Sequence, residues 1–195
     1  MQALVDDAVA DLQAVMDRDP ACWGYLQIML FFKGFQAIQA HRIAHHLWQN
    51  GRRSLSHAVQ SRISQQFDVD IHPGAYLGRG VMMDHATGIV IGETAVIGDN
   101  VSMLHRVTIG GSGVASGVRH PTIGHGVLLG AGVTVLGPVH VGHSSKIGAC
   151  SVVVTDVPEK SVAVGVPARV VKQDKSLEPC KDMDQAGDFV LDFTI

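Results

Sequence analysis

The second half of the chain places an aliphatic residue, usually followed by glycine, on a six-residue beat. It reads Leu77-Gly78, Ile91-Gly92, Ile97-Gly98, Ile109-Gly110, Ile123-Gly124 and Leu129-Gly130, then Val135, Val141-Gly142, Ile147-Gly148 and Val153. So short a period gives each repeat one strand and one corner. That is too little to bury its own apolar side chain, so successive units must stack into a shared core. The aliphatic residue points into a narrow triangular prism, and the small residue beside it clears the corner. Three hexads make one coil, and the beat from about Val69 to Val171 predicts roughly five coils of parallel β-helix. Upstream, Leu4, Val5, Ala8, Leu12, Val15 and Met16 recur at three- and four-residue steps. They predict an amphipathic helix ending before Pro20. A second helix is predicted from about Cys22 to Gln49, stopped by Gly51, and a third is capped by Ser54 and runs to about Gln66. The chain thus divides into a helical segment over 1–67, a β-helix over 68–172 and a flexible tail over 173–195 where the beat is lost.

The beat is broken twice. Between Leu77-Gly78 and Ile91-Gly92 two residues are surplus, and they fall around Asp84-His85-Ala86-Thr87-Gly88. Regular coils absorb extra residues only as a bulge, and bulges re-aim side chains. The second break, over 111–121, is glycine-rich and aperiodic and reads as a loop ejected from the prism. Loops held by a rigid scaffold commonly carry chemistry.

Composition narrows the possibilities. A formal net charge of −3 gives no reason to expect a nucleic-acid partner. Three cysteines at unrelated spacings argue against a disulfide framework and for a reducing compartment, so a cytoplasmic protein is expected, or an organellar one if a transit peptide has been removed. Cys150 falls at a hexad position and reads as core. The apolar run over 25–32 stops at Lys33, well short of the roughly 20 residues a bilayer requires, so no membrane association is expected. Asp6 and Asp7 stand where a signal peptide would be basic. His41 and His45, four apart on a helix, have no evident third ligand and read as packing residues.

Four strings arrive in order within the β-helix: Asp70-Ile71-His72-Pro73, Asp84-His85-Ala86-Thr87-Gly88, Gly92-Glu93-Thr94 and Arg119-His120-Pro121. Together with Arg18-Asp19-Pro20-Ala21, Lys33-Gly34-Phe35, Gln39-Ala40 and Gly165-Val166-Pro167-Ala168-Arg169, they resemble the serine O-acetyltransferases. The resemblance covers nearly all of the chain outside its extreme ends. It implies a left-handed β-helix, an exception to the usual crossover rule that spacing alone does not reveal. It also implies transfer of the acetyl group of acetyl-CoA to the hydroxyl of L-serine, without a metal, with L-cysteine as a competing inhibitor.

The residues agree with that chemistry. Acyl transfer from a thioester to a hydroxyl requires a base, a group to orient it and donors for the oxyanion. His85 is the candidate base, since imidazole titrates near working pH and the residue sits on the irregular coil. Asp70 lies fifteen residues earlier, so stacked coils could bring its carboxylate against the imidazole and fix its tautomer. Serine also requires a cation for its carboxylate and an anion for its ammonium. Arg119 offers a bidentate fork, and Asp19 and Asp84 would meet the ammonium. His120 would contact substrate or transition state, and Glu93 would shape the pocket. For acetyl-CoA, the resemblance implies Gly111 beside the thioester, Ala131 beside the pantetheine arm, and Lys146 and Arg169 at the phosphates.

The resemblance further implies a homotrimer with its sites between subunits. The helical segment before Asp19 is shorter than in bacterial relatives, where it pairs two trimers, so a lone trimer is expected beside the alternative of a dimer of trimers. A C-terminal isoleucine, here Ile195, implies docking into O-acetylserine sulfhydrylase. Val114 and Val118 stand where the family's loop carries a Lys and an Asp. Competing assignments are another hydroxyl acceptor, a γ-carbonic anhydrase-like zinc enzyme and a noncatalytic scaffold.

Overall fold

The computed structural model describes residues 2–113, 117–173 and 178–183. Four helices come first: α1 (Gln2–Arg18), α2 (Tyr25–Phe31), α3 (Lys33–Gln49) and α4 (Arg53–Phe67). The single helix expected over 22–49 is two, because Phe32 adopts extended backbone (φ −89°, ψ 99°). Its ring packs with Val15, Ile28 and Met82, which a continuous helix would not allow. The Gln36 amide closes the break by donating to the carbonyls of Met29 and Leu30 at 3.0 Å each, groups that a helix end leaves open. The residue capping α4 is Arg52, not Ser54, and no side chain bonds there.

A buried ion pair keys the helices to the rest. Asp11 is fully buried, and Arg42 reaches its two oxygens from Nε at 2.8 Å and Nη2 at 2.9 Å. Gln39 and the backbone N–H of Val81 also donate to it. Arg42 donates in turn to the Gly78 carbonyl at 2.6 Å. Charges taken out of water are tolerated only when paired this fully. Close approach does the rest: a Cβ at Gly34 on α3 would collide with the Met83 carbonyl.

Five coils follow. The first holds β1 (Val69–Ile71), β2 (Tyr76–Leu77) and β3 (Met82–Met83), and the second β4 (Ile89–Ile91), β5 (Val96–Ile97) and β6 (Ser102–Met103). The third holds β7 (Thr108–Gly110), β8 (Thr122–Ile123) and β9 (Leu128–Leu129), and the fourth β10 (Thr134–Leu136), β11 (His140–Val141) and β12 (Lys146–Ile147). The fifth has β13 (Val152–Val153), a single bridge at Val157 and β14 (Ser161–Gly165). Equivalent strands pair in parallel as face A (β1-β4-β7-β10-β13), face B (β2-β5-β8-β11) and face C (β3-β6-β9-β12-β14). The fold is a left-handed β-helix after a helical region. Ile71, Ile91, Ile109, Val135 and Val153 stack inside face A, all fully buried, each contributing about 1.5–3 kcal/mol of apolar burial.

Strand register locates the interruptions. Face A pairs Asp70 with Val90, Val90 with Thr108, Thr108 with Thr134 and Thr134 with Val152. Steps of 18 residues are three hexads, whereas the first is 20 and the third 26. The surplus sits at the 84–88 corner and in the 111–121 loop. The beat stops short of Val171, because β15 (Ala168–Gln173) turns back antiparallel on β14. Part of the expected flexible tail is ordered: α5 (Pro179–Asp182) lies against α1 with Cys180 buried. Cys150 is not core. It is exposed at φ 58°, because it falls on a corner three residues past the inward Ile147. No helix among the described residues is long and apolar enough to cross a membrane.

Candidate active site

Face A separates the sequence-predicted residues into two groups. At the corner from face C into face A, His85 and Ala86 both have positive φ, 57° and 58°. For residues with a Cβ this costs about 1–3 kcal/mol each. Short backbone bonds hold it, including Ala86 N–H to the Asp84 carbonyl at 2.6 Å and Gly88 N–H to the Asp68 carbonyl at 2.7 Å. The Ala86 methyl goes into the core while the His85 ring, 73% exposed, stands out from the bulge. It edges a cavity of about 350 Å³ whose lining includes Asp19, Phe32, Lys33, Phe35 and Asp84. His85 Nε2 is 3.9 Å from an Asp84 oxygen. One Asp19 oxygen accepts the Ala21 N–H at 2.8 Å. Two carboxylates and one imidazole thus meet at an apolar-walled cavity, suited to an ammonium and a proton transfer.

At the corner from face A into face B, Arg119 Nη2 meets Glu93 Oε2 at 2.7 Å. That hydrogen bond holds the Glu93 carboxyl below its ordinary range. Thr94 organises the corner. Its hydroxyl oxygen accepts the backbone N–H groups of Arg119 and His120, and it lies 2.9 Å from His120 Nδ1. The Thr94 N–H also donates to Nδ1, at 3.2 Å, so the neutral His120 ring carries its proton on Nε2. Burial, with the Arg119 charge beside it, lowers the His120 pKa and favours that neutral form. The ring lies over Gly92, where any Cβ would strike it. Thr94 and Gly92 belong to the Gly-Glu-Thr string but drew no role from sequence; only the return of 119–120 over that string gives them one.

Other predicted residues stand apart. Asp70, on the outer side of β1, accepts a hydrogen bond from Gln60 of α4 at 2.7 Å, and no ion pair joins it to His85 within one chain. Gly111 follows β7 near His120. Ala131 lies at the corner from face C into face A, where its carbonyl accepts the Cys150 N–H at 2.8 Å. Arg169 is exposed on β15. Lys146 departs from expectation: it is 6% exposed, in an outward row of face C with Met82, Ser102, Leu128 and Val162 that is buried throughout. It presents no open charge to a phosphate. Val118 is exposed, while Val114 and Ile195 lie outside the described residues. Among the described residues no cluster of three or more His, Cys, Asp or Glu could hold a metal. His41 and His45 instead bond the carbonyls of Ala75 and Pro73.

Comparison with known proteins agrees with this arrangement. Residues 1–40 match the family described as serine acetyltransferase, N-terminal, and residues 120–155 match the bacterial transferase hexapeptide repeats. A serine acetyltransferase of Haemophilus influenzae is 53% identical over 94% of this chain and 68% of its own length. A solved serine acetyltransferase in complex with cysteine superposes with a TM-score of 0.94 at 52% identity, over 96% of this chain and 73% of that one. Another, from Brucella abortus in complex with coenzyme A, gives 0.86 at 52% identity, over 87% and 68%. Identity of this extent across both the helices and the β-helix makes the chain a member of the serine acetyltransferase family.

Proposed function

We propose that this chain transfers the acetyl group of acetyl-CoA to the hydroxyl of L-serine, giving O-acetyl-L-serine and CoA, the step that opens cysteine synthesis from serine. The observation that carries this reading is the split of the site into two halves on opposite edges of face A. One half, Asp19, Asp84 and His85, suits an ammonium and a proton transfer; the other, Arg119 with Glu93 and His120, suits a carboxylate. At about 3.3 Å per residue, the three-residue strands of face A hold the halves about 10 Å apart. A second copy set edge to edge would join them, and a threefold ring of such contacts closes on itself. The protein is therefore read as a homotrimer, with a dimer of trimers as the alternative. The Asp70–His85 pair is read as a contact across the same interface.

In the assembled site Asp19 and Asp84 hold the α-ammonium, and Arg119 takes the α-carboxylate on the part of its fork that Glu93 leaves open. His85 removes the serine hydroxyl proton as the oxygen attacks the thioester carbon, and Asp70 stabilises the imidazolium. Collapse of the tetrahedral intermediate expels the CoA thiolate, which takes that proton. His120 donates from Nε2 beside the substrate. Acetyl-CoA runs past Gly111 and Ala131 toward Arg169. L-cysteine shares serine's ammonium and carboxylate and is read as its competitor, in keeping with the solved relative that holds cysteine. Docking of Ile195 into O-acetylserine sulfhydrylase and a cytoplasmic location complete the proposal.

Thiol release from acetyl-CoA, measured with serine against homoserine, sugars and other alcohols, tests the reading. Serine is the expected acceptor, and a faster alternative overturns it. A stable, active monomer in sedimentation would overturn the intersubunit site.

A further inference from the structure

The bulge that carries His85 is held from outside the β-helix by Lys33. Phe32 ends α2 in extended backbone, and α3 opens at Lys33. The next residue, Gly34, lies so close to the Met83 carbonyl that a Cβ there would collide with it. The first turn of α3 is thereby seated on the residue that precedes Asp84-His85. From that seat Lys33 Nζ donates to Thr87 Oγ1 at 2.5 Å, and the lysine lines the same cavity as Asp19, Asp84 and His85.

A lysine has the wrong charge for this place in a helix. The N-terminal turn favours anions, and the first turn of α3 holds no acidic residue to offset the cation. Thr87 uses it instead. Because its oxygen accepts from Lys33, the hydroxyl hydrogen is free for the His85 carbonyl, 3.4 Å away. The Thr87 N–H donates to that same carbonyl at 2.7 Å. Little else fixes His85: its ring meets His105 edge to face, with centroids 5.9 Å apart, and stands 3.9 Å from the Asp84 carboxylate. The imidazole therefore follows the backbone of the bulge. Left-handed residues with a Cβ, as at 85 and 86, persist only where their surroundings hold them.

We propose that Lys33 is a positioning residue, which through Thr87 locks the 84–88 bulge to the helical segment and so fixes the base against the ammonium site. This rests on the serine acetyltransferase reading, in which Asp19 and Asp84 hold one ammonium between them while His85 takes the hydroxyl proton. Asp19 belongs to the helical segment and His85 to the first coil, and Lys33 ties one to the other. A misplacement of about 1 Å between such groups costs about 10²-fold in rate.

Lys33→Met removes the donor and Thr87→Val removes its acceptor, each with little change of size. Either should lower kcat about 10- to 100-fold with the KM for acetyl-CoA and the melting temperature unchanged. The double variant should be no slower than the slower single one, and Thr87→Ser, which keeps the hydroxyl, should retain most of the wild-type rate. Amide hydrogen exchange reads the bulge without any substrate: at residues 86–88 it should quicken about 10-fold in both single variants and keep the wild-type rate elsewhere. Unchanged exchange in Lys33→Met overturns the lock, whatever the chain acetylates. With exchange quickened, a fully active Lys33→Met or Thr87→Val variant, or losses that add in the double variant, overturns the positioning role. A wild-type chain that fails to acetylate serine removes the functional reading itself.

Discussion

Lowering the pH should destabilise this fold through one residue remote from both halves of the site. His41 of α3 is 1% exposed, its Nε2 lies 3.2 Å from the Ala75 carbonyl, and its Nδ1 has no partner among the described residues. Burial above all, with His45, Arg42 and His72 nearby, lowers its pKa to about 3 despite the Ala75 hydrogen bond. In the unfolded chain the group titrates near 6.5. Between those values the unfolded state binds a proton that the folded state refuses. The contribution is therefore fully present above pH about 6.5 and is lost as pH falls, by up to about 1.36 kcal/mol per unit, levelling off near 3. At pH about 4.5 the loss is about 2.7 kcal/mol, a large part of a stability of about 5–15 kcal/mol. His41→Gln retains a donor for Ala75 and cannot titrate. Unfolding free energies from urea titrations at fixed protein concentration, taken from pH about 7.5 to about 4.5, should fall less in the variant, by about 2–3 kcal/mol over the range. His72 and His120, both lowered chiefly by burial, add a slope of the same sign to both proteins. Parallel curves would refute the assignment.

His85→Ala should lower turnover by about 10²–10⁴-fold with the fold intact, and near-normal turnover would remove His85 from the mechanism. Arg119→Ala should weaken serine and cysteine together by about 10- to 100-fold while sparing acetyl-CoA, as read by calorimetric titration; unchanged serine affinity would count against its role. Gly92→Ala drives a methyl into the His120 ring, so turnover should drop further than thermal stability, and an unaltered kcat would show that His120 need not stay where it is. A C-terminal peptide ending at Ile195 should compete with O-acetylserine at the sulfhydrylase, with the isoleucine adding about 1.5–3 kcal/mol; equal binding without Ile195 would sink that idea.

The six-residue beat alone determined the β-helix and both of its interruptions, because a coil of three hexads dictates which residues point inward whatever surrounds it. The motif strings likewise carried the family, since side-chain type is local information, and they supply the roles proposed for His85 and Arg119. Departures arose where a distant partner decided the outcome. Phe32 splits a helix to reach Val15 and Met82, and Asp11 is buried only because Arg42 and Gln39 converge on it from another helix. Lys146 points outward as the hexads require, yet a phase says nothing of what covers that face. The separation of Asp70 from His85 and the pairing of His85 with His105 are matters of register. Register was latent in the sequence, in the repeated step from Met83 to His85 and from Met103 to His105. The folded coil was needed to set those levels one above the other, because stacking places in contact residues that the chain itself holds a full turn apart.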